Sequence, residues 1–486
     1  MPARLPFPPA VGLAVLVLGG CAVVGETSAP PKFITPPAVS ATLAEAGEAS
    51  VRFVRHWPRA EWWKDFHDPE LNRLLDAALR GNPDLRVALA RLRQAEAAAE
   101  FQAADLLPAL DSEFEVRQRR FSATDIYGPL GGRTRTGAYL DAVVLRYRLD
   151  LWGKQRAALE AAAGLEQAQR AELALARLLL ATALARAYFR LGAAEGQARL
   201  AGERVARAEE RCRLAQLRWE RGLDTRDAVE AATQQLAEAR QLEAELHAET
   251  QKLRHRIAAL AGQGPDWGRT VTVAENHYGQ AFPLPERLPL TLLAHRPDVV
   301  AARWRAEAAA RAVHIAKAEF YPDLELTGFA GLRSVDLKAL FLSQGASLAY
   351  AIGPTLSLPL FDGGRRRAEL KKQEAGYAAA VESYNRTVLE AVRQVAEALA
   401  EWQRSQREDR AQEQAVAAAA AQWDLAVRRA RAGLATRLDA LRAEQDLLQQ
   451  RIRLTALQGE HWVHAVDLIE ALGGGYAAGS GARDNP

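Results

Sequence analysis

The chain has 486 residues, 49 % of them hydrophobic and 25 % charged, and a formal net charge of only +3. That balance excludes both a chain too polar to bury a core and a strongly basic nucleic-acid-binding domain. Proline is absent from Gly131 to Gly264 and again from Leu360 to Asn485, so two very long stretches are free to be helical.

Residues 1–20 read as a signal peptide: Arg4 precedes the apolar run Val11 to Leu18, which is too short to span a bilayer. The run ends in Leu18-Gly19-Gly20-Cys21, similar to a bacterial lipobox, in which the cysteine is acylated. A covalent lipid on Cys21 is therefore expected, with no other cofactor. Ala22 in place of an aspartate favours sorting to the outer membrane. Cys212 then stands alone, so no disulfide staples the fold. Residues 21–80 come next as a lipid-anchored segment and collar. Beyond the signal there is no apolar run of the length a helical span needs, which leaves a lipid or a barrel as the means of membrane contact.

The chain repeats itself. Pro83-Asp84-Leu85 and Pro108 correspond to Pro297-Asp298-Val299 and Pro322 at an offset of 214. Leu151-Trp152-Gly153-Lys154 corresponds to Leu360-Phe361-Asp362-Gly363-Gly364-Arg365. The pairs Gly222 and Gly433, and Leu260-Ala261-Gly262 and Ala471-Leu472-Gly473, lie at an offset of 211. Landmarks in one order at nearly constant offset mean a tandem duplication, with a unit too long for a stacking repeat. The repeats are taken as 81–262 and 295–473, joined by a linker and collar at 263–294 and ending in a tail at 474–486.

Each repeat opens with a helix, at Pro83 in the first, where Asp84 suits the positive end of the dipole. Pro108 stops it. Leu110, Phe114 and Val116 then alternate with Asp111, Glu113, Glu115 and Arg117. After the turn Gly128 to Gly132, Val143, Leu145, Tyr147 and Leu149 share a face opposite Arg146, Arg148 and Asp150. This predicts a strand pair over about 109–151. The second repeat predicts another over about 323–361, with a loop from Gly331 to Gly345 and an apolar face running from Leu348 to Leu360. Then 3.6-residue spacing takes over: Lys154 to Arg221 and Arg366 to Arg431 would each make a helix about 100 Å long. Glycine breaks at 222 and 433 lead into return helices with apolar residues seven apart (Val229 and Leu236; Leu246, Leu253 and Leu260; Leu434, Leu441 and Leu448), the spacing of coiled-coil packing.

Four strands with one apolar and one charged face cannot stand alone in hydrocarbon, because the outer two expose unpaired backbone groups. The smallest closed membrane barrels have about eight strands. Copies of the chain must therefore close a ring, strands at one end and helices at the other.

Trp62-Trp63-Lys64-Asp65-Phe66, Asn82-Pro83-Asp84-Leu85, Ala318-Glu319-Phe320-Tyr321-Pro322 and the run Gly353 to Gly364 (Gly-Pro-Thr-Leu-Ser-Leu-Pro-Leu-Phe-Asp-Gly-Gly) resemble the motif series of TolC-like outer-membrane factors, in their lipoprotein branch (OprM/NodT-like). The resemblance implies a mixed, mainly α fold: four strands of a trimeric transmembrane β-barrel, and a long periplasmic α-helical barrel. It implies the outer-membrane channel of a tripartite multidrug efflux system, a homotrimer meeting a periplasmic adaptor (membrane fusion) protein and an inner-membrane pump of RND type. It also implies a periplasmic gate at Leu438, Asp439 and Arg442, Leu438 matching an apolar constriction and Asp439 an acidic ring. Three converging Asp439 carboxyls would raise one another's pKa, and Arg442, where many members carry an acid, would oppose that. Contacts to the adaptor are implied at the hairpin tips: Arg218, Gly222, Leu223, Arg429, Arg431 and Gly433. Two plainer readings need neither role: a solvated i, i+3 pair for Asp439 and Arg442, and ordinary helix ends for the tips.

Enzymatic readings find little. His461 and His464, or His247 and His255, lack a third ligand at sensible spacing, and no nucleophile elbow, P-loop or dinucleotide fingerprint occurs. Trp62-Trp63 reads as collar packing. The competing class is a lipid-anchored periplasmic coiled-coil scaffold without a pore, against which the duplicated strand pairs stand.

Overall fold

A computed structural model describes residues 31–35, 37, 59–124, 128–273, 295–341 and 345–476, and the backbone of 53–54 and 284–285. Cys21, the signal segment and all but the first three residues of 474–486 lie outside the described residues. In chain order the elements are β1 (Phe53–Val54), α1 (Pro69–Gly81), α2 (Pro83–Ala104), β2 (Ala109–Arg120), β3 (Thr134–Leu149), α3 (Lys154–Glu220) and α4 (Arg226–Leu260). Then come β4 (Leu284–Pro285), α5 (Pro297–Ala318), β5 (Asp323–Ser334), β6 (Leu348–Ser357), α6 (Arg365–Arg431) and α7 (Arg437–Ala471). From α2 onward the order helix, two strands, long helix, return helix occurs twice, and α3 and α6 have 67 residues each. No described helix is long and apolar enough to cross a membrane.

Two departures from the sequence expectation concern the second strand pair. β5 continues through Gly331 to Ser334, and β6 stops at Ser357 rather than near 361, because Pro359 has no N–H to carry the ladder on. Leu358 and Leu360 therefore lie beyond the strand.

The chain divides into two units, each assembled from both repeats. Among the described residues the first comprises 31–33 and those within 92–169 and 302–384, and it contains one antiparallel sheet in the order β2-β3-β5-β6. The central pairing, β3 with β5, joins the repeats, from Ala138 opposite Ser334 to Leu149 opposite Leu324. At the foot of the sheet two sequence motifs meet: the Trp152 and Tyr321 rings stack with centroids 4.9 Å apart, and the Trp152 indole N–H donates to the Pro322 carbonyl at 2.8 Å. Helix packing in this unit is close, since a Cβ added at Gly164 would stand only 3.3 Å from the Ala308 Cβ. The ion pairs Lys154–Glu319 (3.3 Å) and Arg311–Glu160 (3.1 Å) flank it.

The second unit comprises the described residues within 34–91, 170–301 and 385–476. Its core is aromatic at one level: Trp62, Phe66, Phe189 and Trp462 interleave, with Phe66–Phe189 centroids 5.1 Å apart and Phe189 stacked on Trp462 at 5.8 Å. Trp62 and Trp63 are buried there. Asp68, also buried, caps α1 by accepting from the Glu70 and Leu71 backbone N–H groups (2.8 and 3.1 Å), and its other oxygen accepts from the Tyr188 hydroxyl. A cap with a tertiary partner fixes where α1 begins and where α3 passes it.

The duplication is also visible in how the helices are tied. Asn82, just before Pro83, caps α2 and donates its side-chain amide to the Leu260 carbonyl at the end of α4 (2.9 Å). Arg296, just before Pro297, occupies the matching place and donates to the Ala471 carbonyl at the end of α7 (2.8 Å). It also grips Asp298 (2.7 and 3.0 Å) and Gln394 (2.8 Å), and is only 6 % exposed. Both residues satisfy carbonyls that a helix end leaves without intrahelical partners.

In the hairpins the seven-residue seam holds, with one correction. Leu441 and Leu448 are buried, but Leu434 is 80 % exposed, because it belongs to the turn before the helix N-cap and not to the seam. In the half of α4 nearer the tip the buried positions are Ala232 and Ala239, which permit closer helix approach than the flanking Val229 and Leu236.

Candidate functional site

The sheet of the first unit has two chemically distinct faces. Leu110, Phe114, Val116, Val143, Leu348, Tyr350, Ile352 and Leu356 all stand exposed on one of them. The other carries Asp111, Glu113, Glu115, Arg117, Asp141, Arg146, Arg333 and Glu325. Bulges between Asp111 and Glu113, and between Asp141 and Val143, keep the alternation in phase along both strands. On the polar face Arg333 holds Asp141 in a two-pronged contact (2.7 and 2.8 Å), with its guanidinium 3.5 Å from the Phe329 ring centre. β2 and β6 are edge strands, each with one neighbour in the chain. Water would solvate such an apolar face poorly, and lipid would leave two open edges unsatisfied.

In the second unit the two hairpin tips are built alike. Gly222 and Gly433 take positive φ (66° and 72°), and the Leu223 and Leu434 N–H groups bond back to the Arg218 and Arg429 carbonyls at 2.8 and 2.9 Å. These are Schellman turns, which is why glycine is required there. Leu223 is exposed, as Leu434 is. The tips differ at the start of the return helix. Thr436 and Asp439 form a reciprocal capping box, whereas Thr225 makes no side-chain cap.

Asp439 is thus first a capping residue. The Thr436 side chain and backbone, then Arg442 and Arg218, hold its carboxyl below the usual carboxylate range. Within one chain the direction is opposite to that expected of three converging carboxyls. Arg442 lies 4.0 Å from Asp439 as an exposed i, i+3 pair, and Leu438 is half-buried beside them. Arg218 reaches across its turn to Asp224 at 3.1 Å. Arg429 and Arg431 end α6.

Pairwise contacts that sequence reasoning missed join the hairpins near their tips. Arg437 pairs with Glu210 (2.9 Å) and Arg207 with Glu444 (2.8 Å), while Arg211 bonds both Gln235 and Gln445. Burial, then the nearby Arg442, pushes the Arg211 guanidinium pKa down. Glu210 and Arg437, 227 positions apart, and Arg211 and Gln445, 234 apart, leave no spacing signal, so no pattern could have named those pairs. His461 and His464 face the acids Asp409 (3.4 Å) and Asp467 (3.7 Å). Among the described residues no group of three or more potential ligands could hold a metal ion.

A sheet with a lipid-ready face and open edges, in a chain whose paired helices are too long for a private core, defines an outer-membrane channel subunit. The chain belongs to the outer membrane efflux protein family, whose model matches residues 74–263 and 288–474, one segment in each repeat. It is similar to multidrug resistance outer membrane protein MdtP of Escherichia coli strain K12, 31 % identical over 485 residues and 95 % of each chain. Fusaric acid resistance protein FusA of Burkholderia cepacia is 34 % identical over 365 residues, covering 74 % of this chain and 68 % of FusA. Among solved structures, the outer membrane protein VceC of Vibrio cholerae superposes with a TM-score of 0.77 at 34 % identity, covering 86 % of this chain and all of VceC. The chain is an efflux channel component of the outer membrane that extends into the periplasm; these relatives are channel and resistance proteins.

Proposed function

We propose that three copies close their sheets edge to edge into a barrel of twelve strands continued by a helical tunnel. The trimer then receives small molecules, drugs among them, from a periplasmic adaptor and an inner-membrane pump of RND type. The observation that carries this reading is the pair of unsatisfied edges, β2 and β6, on a sheet whose exposed face is apolar. Joining β6 of one copy to β2 of the next satisfies both edges and leaves none. A lipid on Cys21 adds an anchor at the same membrane. The tips carrying Arg218, Gly222, Leu223, Arg429 and Gly433 are the surface offered to the adaptor, and Leu438, Asp439 and Arg442 the constriction it opens. Exposed leucines on tight glycine turns support the first role, and a charged, half-exposed start of α7 the second.

Cysteines introduced singly into β2 and β6 and combined in one chain test the closure. Oxidation is expected to give a ladder ending at trimer. Replacing residues 1–21 by a cleavable signal separates barrel from scaffold: a barrel still needs detergent and resists SDS as an oligomer, and soluble monomer with no ladder refutes the proposal.

A further inference from the structure

The duplication supplies a template for the contact between copies. Within one chain, β3 of the first repeat pairs with β5 of the second, and that boundary joins the two halves of the sheet. β6 and β2 are the counterparts of β3 and β5 in the other repeat, and they are the strands left with one neighbour each. Edge-to-edge closure therefore repeats the β3–β5 boundary between copies, and the strand pairings carry its register across.

Each β5 residue stands 214 positions after its β2 counterpart, as Pro322 does after Pro108. The hairpins then match β3 to β6. Ala109 faces Arg146 and its counterpart Asp323 faces Ser357, so Arg146 corresponds to Ser357. Glu113 faces Asp141 and its counterpart Thr327 faces Gly353, so Asp141 corresponds to Gly353. The spacing is one residue longer in β3 because of its bulge between Asp141 and Val143, whereas β5 and β6 pair without a shift. Inside the chain Arg146 faces Thr327 and Asp141 faces Gly331. Exchanging each residue for its counterpart sets Ser357 of one copy opposite Glu113 of the next, and Gly353 opposite Arg117. Those two rows derive from opposite sides of the bulge, yet they are equally far apart on both strands, so they belong to one unbroken antiparallel register.

We infer that β6 of each copy pairs with β2 of the next in this register, from Ser357 opposite Glu113 to Tyr350 opposite Arg120, with Leu356 opposite Phe114 and Thr355 opposite Glu115 between. The register rests on the edge-to-edge closure proposed above and names the residues that make it. It keeps the faces together, since Leu356 and Phe114 both stand exposed on the apolar face. A slip of one residue would put Phe114 opposite Thr355 or Ser357 and mix the faces, which a lipid-facing sheet does not tolerate. A slip of two keeps the faces apart but gives successive repeats unequal stagger around the ring, and closure links stagger to strand tilt. The seam has fewer ties than its template. Gly353 stands where β3 has Asp141, so the contact of Arg333 with Asp141 has no equivalent between copies, and Pro354 has no N–H to give to the ladder.

Disulfides read the register, because they need Cα atoms about 4.4–6.8 Å apart, as directly opposite residues are, whereas residues two positions off lie about 7–8 Å away. In the full-length protein carrying Cys212→Ser, the pairs Phe114→Cys/Leu356→Cys and Glu115→Cys/Thr355→Cys are oxidised in the membrane. The two rows are adjacent, so one of them is the closer, non-hydrogen-bonded kind. At least one pair should give a covalent ladder ending at trimer on denaturing gels. The offset pairs Glu113→Cys/Thr355→Cys and Arg117→Cys/Thr355→Cys should stay monomeric. An offset ladder as strong as the expected one, or an SDS-resistant oligomer with no ladder from any pair, overturns the register and leaves the closure standing. Monomer alone in unheated SDS, in the parent and in every variant, refutes the closure and the register with it.

Discussion

Replacing Asp409 by asparagine should stabilise the packing of α6 on α7 at neutral pH, and the size of the effect can be worked out from its surroundings. Asp409 points into the α6–α7 contact with one oxygen 3.4 Å from His461 Nδ1 and the other, Oδ1, buried without a partner. Burial first, then Glu413 and Glu408, push its pKa up to about 6 from 3.8, and only His464 opposes them. Burial and His464 push His461 down to about 4 from 6.5, while Ser405 Oγ lies 3.0 Å from the same Nδ1. For Asp409 the folded pKa is the higher, so the fold binds the proton more tightly. The corresponding stability is present below about pH 4, declines as pH rises to about 6, and stays lost above. A shift of two units at 1.36 kcal/mol each gives a loss of about 3 kcal/mol as a ceiling. For His461 the folded pKa is the lower, so its stability is full above pH 6.5 and declines as pH falls toward 4. The two slopes oppose each other between about pH 4 and 6 and nearly cancel, so wild-type local stability should be almost flat across that range. Asparagine removes the Asp409 slope and leaves that of His461, and its amide can donate to Nδ1 of the neutral imidazole. Hydrogen exchange of peptides spanning 400–415 and 455–467 should show about 1–3 kcal/mol more protection at pH 7.5 than in wild type, and little difference at pH 4. Equal protection at pH 7.5, or an unchanged pH slope in the variant, refutes the assignment.

Removing Arg296 should be severe, because Asp298 and the Ala471 carbonyl lose their shared partner in a buried place. A loss of about 3–5 kcal/mol is expected for Arg296→Ala, read as a lower urea midpoint in detergent. Lysine should not restore it, since one ammonium cannot reach Asp298, Gln394 and the carbonyl together. The glycines separate two kinds of constraint. Gly433→Ala has open space but positive φ and should cost about 1 kcal/mol with the channel intact, whereas Gly331→Ala pushes a methyl onto the Leu140 carbonyl and Asp141 and should abolish SDS-resistant oligomer. Asp439→Ala should fray the first turn of α7 by about 1 kcal/mol, seen as faster exchange at 437–441. Because the Asp439 carboxyl is held low, its stabilising contribution is full above its unfolded pKa of about 4 and lost only as pH falls below that. Wild-type protection at 437–441 should be flat from pH 5 to 7, and a fall as pH rises across that range would favour converging carboxyls instead.

Much was legible in one dimension because the signals are local or periodic. The paired landmarks at offsets of 214 and 211, the two proline-free stretches and the alternation in 109–116 and 143–149 each come from residue spacing, and spacing dictates which side chains share a face. The tip glycines were legible for the same reason, since a turn with positive φ needs a residue without Cβ. Leu434 misled because a seven-residue count takes no account of where the chain leaves the helix.

The features decided only by the tertiary structure are nearly all long-range. Pairing of β3 with β5 across the repeats, the contacts of Arg296 with the end of α7 and of Tyr188 with Asp68, and the ion pairs of Arg437 and Arg207 join residues far apart in the chain. No local preference encodes such partners, which are selected jointly by burial and by the need to satisfy every buried donor and acceptor. The sequence by itself determined that this chain is a duplicated set of long helices and amphipathic strands that cannot close alone. Folding decided which strand meets which, and so which edges are left for other copies.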